Sequence, residues 1–182
     1  MLDITTKTYK EMSADELNAI IKLCAVSDID EPENAMTEKM FTQVVNEYKQ
    51  RKNAYAILGK VDGVLVSTIS IIPSEDSKYF VLNPERKQAV EALLNTSINK
   101  VFVPALMFTH PDHRDQGYAK QVTDAMIDEA KALGFEYVGW YGVYNMVSTS
   151  YWKNNYHLEV SDIEGITQLE DPESNLFRYM PL

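Results

Sequence analysis

The chain has 182 residues, 45% hydrophobic and 24% charged, the balance of an ordinary globular protein long enough to build a core without disulfides or metals. Seventeen basic residues against twenty-seven acidic ones leave a formal net charge of −10, which repels phosphate backbones, argues against a nucleic-acid surface and mildly favours cationic ligands. Cys24 is the only cysteine, so no internal disulfide is possible; no window approaches the roughly 18 apolar residues of a membrane span. The opening MLDITTKTYK lacks the apolar core of a secretory signal, which makes a cytoplasmic location the expectation.

Ile4 to Tyr9 reads as a short strand. Ser13 followed by Glu16 is a capping box, and Leu17, Ile20, Ile21 and Cys24 recur at helical spacing, which predicts a first helix with Cys24 in the core. The acidic, proline-containing DIDEPE, Asp28 to Glu33, reads as a loop; an amphipathic helix from about Thr37 to Lys52 follows. AYAILGK and VLVSTISII are β-rich runs joined through Val61-Asp62-Gly63, a strong hairpin signal. Asn83-Pro84 can open a third helix reaching about Thr96, since proline is tolerated at the first helical position.

Val101 to Thr109, VFVPALMFT, is almost wholly apolar and reads as a strand buried on both faces. Pro104 has no N–H to give a ladder, so a bulge or a splayed neighbour is expected. A helix from about Gln116 to Leu133 buries Ala119, Val122, Met126 and Ala130 and ends at Gly134. Then come a strand from Tyr137 to Val143, a short helix at SYWKNN and two closing strands. No repeat or linker interrupts the pattern, which predicts one mixed α/β domain over residues 1–182.

The stretch HPDHRDQGYAK, His110 to Lys120, joins the apolar strand to the long helix. A helix N-terminus presents unpaired N–H groups and the positive end of the macrodipole, which together suit an anion. Gly117 removes the Cβ that would hold an anion off, and Arg114 brings a guanidinium suited to phosphate oxygens. His110 and His113 have an H-x-x-H spacing, but a third ligand is missing and Pro111 interrupts any helix, so no metal is expected.

Arg114-Asp115-Gln116-Gly117-Tyr118-Ala119 resembles the (Gln/Arg)-x-x-Gly-x-(Gly/Ala) signature of the GNAT N-acetyltransferase superfamily. Downstream, Asn145, Ser148 and Tyr151-Trp152 resemble the family's Asn-x-x-Ala-x-x-aromatic-Tyr segment. The resemblance covers essentially the whole chain and implies an α/β (α+β) GNAT-like domain. Its mixed central sheet would have about six to seven strands, splayed between the fourth and fifth and flanked by helices. It also implies an acetyl-CoA-dependent N-acetyltransferase that passes an acetyl group to a primary amine of a small molecule or peptide by direct attack. In such a protein the pantetheine arm adds to the fourth strand like another strand, here at Met107, Phe108 and Thr109. The N–H groups of Arg114, Asp115, Gln116, Gly117, Tyr118 and Ala119 would hold the pyrophosphate, with Lys120 adding charge at the rim. Asn145 would reach the pantetheine amides, and Ser148 would keep the next helix slim. A backbone N–H near Met107 or Phe108 would polarise the acetyl carbonyl.

Two positions depart from the family pattern. Lys100 to His110 holds no carboxylate, and Ala105 stands near where many members carry a glutamate base. The position that usually supplies a tyrosine to protonate the leaving thiolate is Trp152, whose indole N–H does not usefully release a proton. Tyr151 and Tyr156 are the substitutes, Tyr156 falling on the face of Trp152 if the helix runs that far. Trp152 itself could wall the acyl pocket or stack on an acceptor. DIDEPE is open to two readings, a solvated loop or, as the resemblance implies, the loop that lines the acceptor site, where Glu31 and Glu33 would meet a cationic amine. Tyr137, Trp140, Tyr141 and Tyr144 are open to packing or ligand contact. No membrane partner is expected, and the family's habits imply a homodimer. Two other readings stay open: a non-catalytic acyl-CoA-binding module, and an unrelated anion-binding interaction domain.

Overall fold

The computed structural model describes residues 1–28, 36–76, 84–141, 146–162 and 176–182, with the backbone alone at 141, 146–150, 162 and 176. The fold is α/β. Seven strands, β1 (Asp3–Thr8), β2 (Tyr55–Val61), β3 (Val64–Pro73), β4 (Val101–Thr109), β5 (Tyr137–Tyr141), β6 (Glu159–Asp162) and β7 (Leu176–Pro181), form a mixed sheet in the order β1-β2-β3-β4-β5-β7-β6. Among the described residues the helices are α1 (Ala14–Ser27), α2 (Glu38–Gln50), α3 (Pro84–Leu94), α4 (Tyr118–Ala132) and α5 (Met146–Asn155). The chain divides into two compact units, one of Met1–Ile72 with Pro104–Ala132, the other of Pro73–Val103 with Leu133–Leu182.

In the first unit the predicted capping box opens α1: the Ser13 hydroxyl accepts from the Glu16 N–H while the Glu16 carboxylate accepts from the Ser13 N–H. Such a cap is worth about 1 kcal/mol. Thr37 caps α2 in the same manner through the Met40 N–H. The Asp62-Gly63 turn has both central residues left-handed, at φ 50° and 79°, the backbone that a two-residue hairpin between right-twisted strands requires. β1 and β3 flank β2 in antiparallel register, and α4 packs on β1 and β2. Ile20, Cys24, Phe41, Val45, Ile57, Leu58, Ile69, Val122, Met126 and Ala130 are buried, each large apolar side chain contributing about 1.5–3 kcal/mol. Tyr9 is buried whole, its hydroxyl 2.7 Å from that of Ser70, and burial drives its ionisation far upward. Burial likewise raises the Cys24 thiol, which leaves it an inert core residue.

In the second unit Val90 and Leu94 of α3 pack with Ile98, Val101 and Phe177, and Val103, Tyr137 and Tyr179 close over them. β5 and β6 both run antiparallel to β7. The parallel β4–β5 ladder pairs Val101 with Tyr137 and Phe102 with Val138, and among the described residues it goes no further.

That short ladder corrects one sequence expectation. β4 was expected to be buried on both faces, yet only Val101, Phe102 and Pro104 are buried; Val103 and Ala105 through Thr109 are half-buried. Apolar residues therefore stay partly open along the second half of the strand, the half that belongs to the first unit. Pro104 led to the expectation of a bulge or a splayed neighbour; two residues later the strand backbone is left-handed at Leu106, with φ 46°. A leucine in the left-handed region costs about 1–2 kcal/mol, and such strain persists only where the surroundings over-determine it.

Candidate active site

The first unit carries β4's second half and the turn into α4. Three bonds anchor the end of β4 to β3: the His110 N–H donates to the Val66 carbonyl at 2.8 Å, the buried Ser67 hydroxyl lies 2.9 Å from that of Thr109, and it donates to the Phe108 carbonyl at 3.3 Å. The Phe108 ring meets Phe41 of α2 edge-on, with centroids 5.5 Å apart. Met107, Phe108 and Thr109 are thus held by packing and by β3, while each keeps part of its surface open.

From His110 the chain makes one tight turn, Pro111–His113, before α4. His110 Nδ1 accepts the Asp112 N–H, the His113 N–H donates to the His110 carbonyl, and the Arg114 N–H donates to the Pro111 carbonyl. The Arg114 N–H is therefore already committed, which corrects its expected share in holding a pyrophosphate. The next N–H groups are different. Helical bonding starts with the Gln121 N–H on the Gly117 carbonyl, and among the described residues the N–H groups of Asp115, Gln116, Gly117, Tyr118 and Ala119 donate to no protein group. Asp115 and Gly117 are both left-handed, at φ 59° and 73°, flanking Gln116 in the kind of turn where successive N–H groups form a concavity for an anion. A Cβ on Gly117 would meet nothing within 4 Å, so the glycine answers to backbone conformation and to open approach, not to crowding by the protein.

The side chains expected to add positive charge are both engaged. Arg114 Nη2 donates to the Ser27 carbonyl at 3.0 Å, and Lys120 Nζ lies 2.7 Å from the Asp124 carboxylate one turn along α4. The His110 and His113 rings sit edge to face at 5.8 Å. Among the described residues no three His, Cys, Asp or Glu side chains gather as a metal would require.

The second unit carries the other group. Trp152 is wholly buried, 5.6 Å from Trp140 and 5.2 Å from Tyr156, centroid to centroid. Its indole N–H is buried without a partner among the described residues. As it stands the ring is a packing element and offers no surface on which an acceptor could stack. Tyr151 and Tyr156 are half-buried with ring centroids 5.9 Å apart, and the Tyr156 N–H donates to the Trp152 carbonyl, so the helical path extends to Tyr156. Glu31, Glu33, Tyr144 and Asn145 lie outside the described residues; Ser148 lies in α5 with its backbone alone described. Leu106 was not singled out in the sequence, because leucine is a residue that avoids positive φ; Pro104 was the only signal near it.

The fourth strand is distorted and half-open, its parallel neighbour pairs with it for two residues among the described residues, and a left-handed glycine stands at the start of a long helix in this α/β protein. The chain matches the acetyltransferase (GNAT) family over residues 21–156, and it belongs to that family. No curated protein sequence matches it. Solved structures share its fold. A GNAT-family acetyltransferase from Staphylococcus aureus has TM-score 0.64 at 12% identity, over 100% of this chain and 99% of that one. An acyl-CoA N-acyltransferase from Pseudomonas aeruginosa has TM-score 0.63 at 14% identity, covering 98% and 99%. The PaiA N-acetyltransferase of Thermoplasma acidophilum, in complex with coenzyme A, has TM-score 0.62 at 13% identity, covering 99% of each chain. Among the described residues no helix is long and apolar enough to cross a membrane.

Proposed function

We propose that the protein is an acetyl-CoA-dependent N-acetyltransferase acting on a primary amine of a small molecule or peptide. The observation that carries this reading is the run of five N–H groups from Asp115 to Ala119 with no protein acceptor among the described residues, around a left-handed Gly117. Backbone donors in that arrangement suit a pyrophosphate. The half-open backbone of Met107, Phe108 and Thr109 suits strand addition by the pantetheine arm, and the turn at Leu106 suits an N–H at Met107 or Phe108 to the developing negative charge on the acetyl oxygen.

In the proposed reaction the neutral amine nitrogen attacks the thioester carbonyl carbon, a C–N bond forms, the C–S bond breaks, and the thiolate leaves. The amine gives up a proton and the thiolate takes one. No carboxylate lies between Lys100 and His110, so a water chain or an acidic residue of Asp28 to Glu33 takes the first proton. Tyr156 is our first choice to deliver the second, with Tyr151 next. A thiol pKa near 8.5 makes the leaving group tolerable near neutrality even with a poor acid. The net charge of −10 favours a cationic acceptor, for which Glu31 and Glu33 remain the nominated contacts.

Incubation with acetyl-CoA and a panel of amines, read by free-thiol release, tests the proposal. Tight coenzyme A binding with no turnover on any amine would defeat it in favour of a non-catalytic acyl-CoA-binding module. The burial of Trp152 where the family carries a reactive phenol is the one observation that favours that second reading.

A further inference from the structure

Arg114 reaches from the phosphate loop to the end of α1, 87 positions away in sequence, and its guanidinium donates there to the Ser27 carbonyl. The last turn of α1 contains no basic residue of its own, so Arg114 supplies the cation that the negative end of the helix dipole attracts. Ser27 is 4% exposed, and its hydroxyl has no hydrogen-bond partner among the described residues, so the carbonyl bond from Arg114 is the polar tie of a buried residue. The next residue continues the tie. The Asp28 N–H donates to the Cys24 carbonyl, and its carboxylate accepts the Met36 N–H at 2.8 Å, joining the two ends of the segment in which Glu31 and Glu33 lie.

From this chain of bonds we infer that Arg114 is a positioning residue, which couples occupancy of the phosphate loop to the Ser27–Asp28–Met36 junction at the end of α1. The inference rests on the acyl-CoA reading above, because it takes the loop's ligand to be the pyrophosphate of coenzyme A. No carboxylate pairs with Arg114 among the described residues, so one guanidinium spans both tasks: a donor committed to Ser27, and charge left for the loop's anion. A ligand that orders the loop then orders the junction, and by linkage an ordered junction tightens the ligand.

Amide-resolved hydrogen exchange on wild type, Arg114→Ala and Arg114→Lys, each with and without saturating coenzyme A, tests this, with calorimetry giving each Kd. Without ligand, Arg114→Ala is expected to speed exchange at the Asp28 and Met36 amides by about fivefold and to leave the α2 amides alone, while Arg114→Lys keeps most of the protection. Coenzyme A should protect Asp28 and Met36 in wild type and fail to do so in Arg114→Ala, although its Kd weakens less than about tenfold. Unchanged exchange at both amides in ligand-free Arg114→Ala overturns the tether. Ligand protection that survives the substitution overturns the coupling. If wild type does not bind coenzyme A, the acyl-CoA reading fails, and the coupling fails with it even where the ligand-free comparison upholds the tether.

Discussion

Among the described residues, the turn into α4 and the aromatic cluster around Trp152 both hold N–H groups without a protein acceptor, and they resolve the problem in opposite ways. In the turn into α4, five backbone donors from Asp115 to Ala119 lie on exposed or half-buried residues, within reach of solvent and of the proposed ligand. In the aromatic cluster, the Trp152 indole N–H is buried, at a cost of about 1–3 kcal/mol that the burial of a large ring outweighs. The first region is built to bind and the second to pack. On the proposed reading, cofactor recognition rests on the backbone shape of this turn. Trp152, where the resemblance would place the tyrosine that protonates the leaving thiolate, is in the core, so the proposed reaction assigns that task to a neighbour.

The contrast is most easily broken at Trp152. Trp152→Ala should lower stability by about 3–5 kcal/mol in a denaturant titration, whereas Trp152→Phe, which keeps most of the apolar area and removes the orphan donor, should cost less than about 1.5 kcal/mol. A fully stable Trp152→Ala protein would mean that the ring is not the packing element described. In the loop, Gly117→Val forces a β-branched residue to φ 73° and sets a Cβ over the donors, so coenzyme A affinity by calorimetry should fall at least about tenfold with the fold intact. Gly63→Val meets a similar φ of 79° in the hairpin turn; it should cost stability and spare the affinity, which separates conformational strain from ligand approach.

A smaller effect sharpens the second half of the comparison. Tyr156→Phe should reduce kcat about tenfold and Tyr151→Phe less than threefold, measured by thiol release; the reverse order would shift the proton to Tyr151, and no effect from either would leave it to water. The smallest effect belongs to neither region. Lys7 at 2.6 Å, then the Ser13 N–H, hold Glu16 below its ordinary value of 4.5. A depressed folded pKa contributes stability above 4.5 that is lost as pH falls through the folded value, so Glu16→Gln should flatten the acid side of a Tm–pH profile. The effect is a fraction of a kcal/mol for so exposed a pair, and coenzyme A binding should not change.

Much of the architecture was legible in advance because local chemistry decides it. Ser13 and Glu16 start α1, Asp62-Gly63 turns the β2–β3 hairpin, and Gly134, at φ 84°, ends α4. Gly117 was legible as well, since a glycine at a strand-to-helix join has few other reasons to be there. The fate of side chains was not. The same arginine that reads as a phosphate ligand donates to Ser27, and Lys120 pairs with Asp124, because which partner a long cationic side chain finds depends on elements distant in sequence.

By itself, then, the sequence determined the order of elements, which follows from periodicity, caps and glycine within a few residues of one another, and the family, through the resemblance of Arg114 to Ala119 and of Asn145 to Trp152 to its motifs. Only the tertiary structure decided that β4 is half-open beyond Pro104, that the strain falls on Leu106 and not on Pro104, and that Trp152 is core. Each of these depends on what packs against a residue from far along the chain, and an apolar side chain looks the same in a sequence whether it faces a neighbour or an opening.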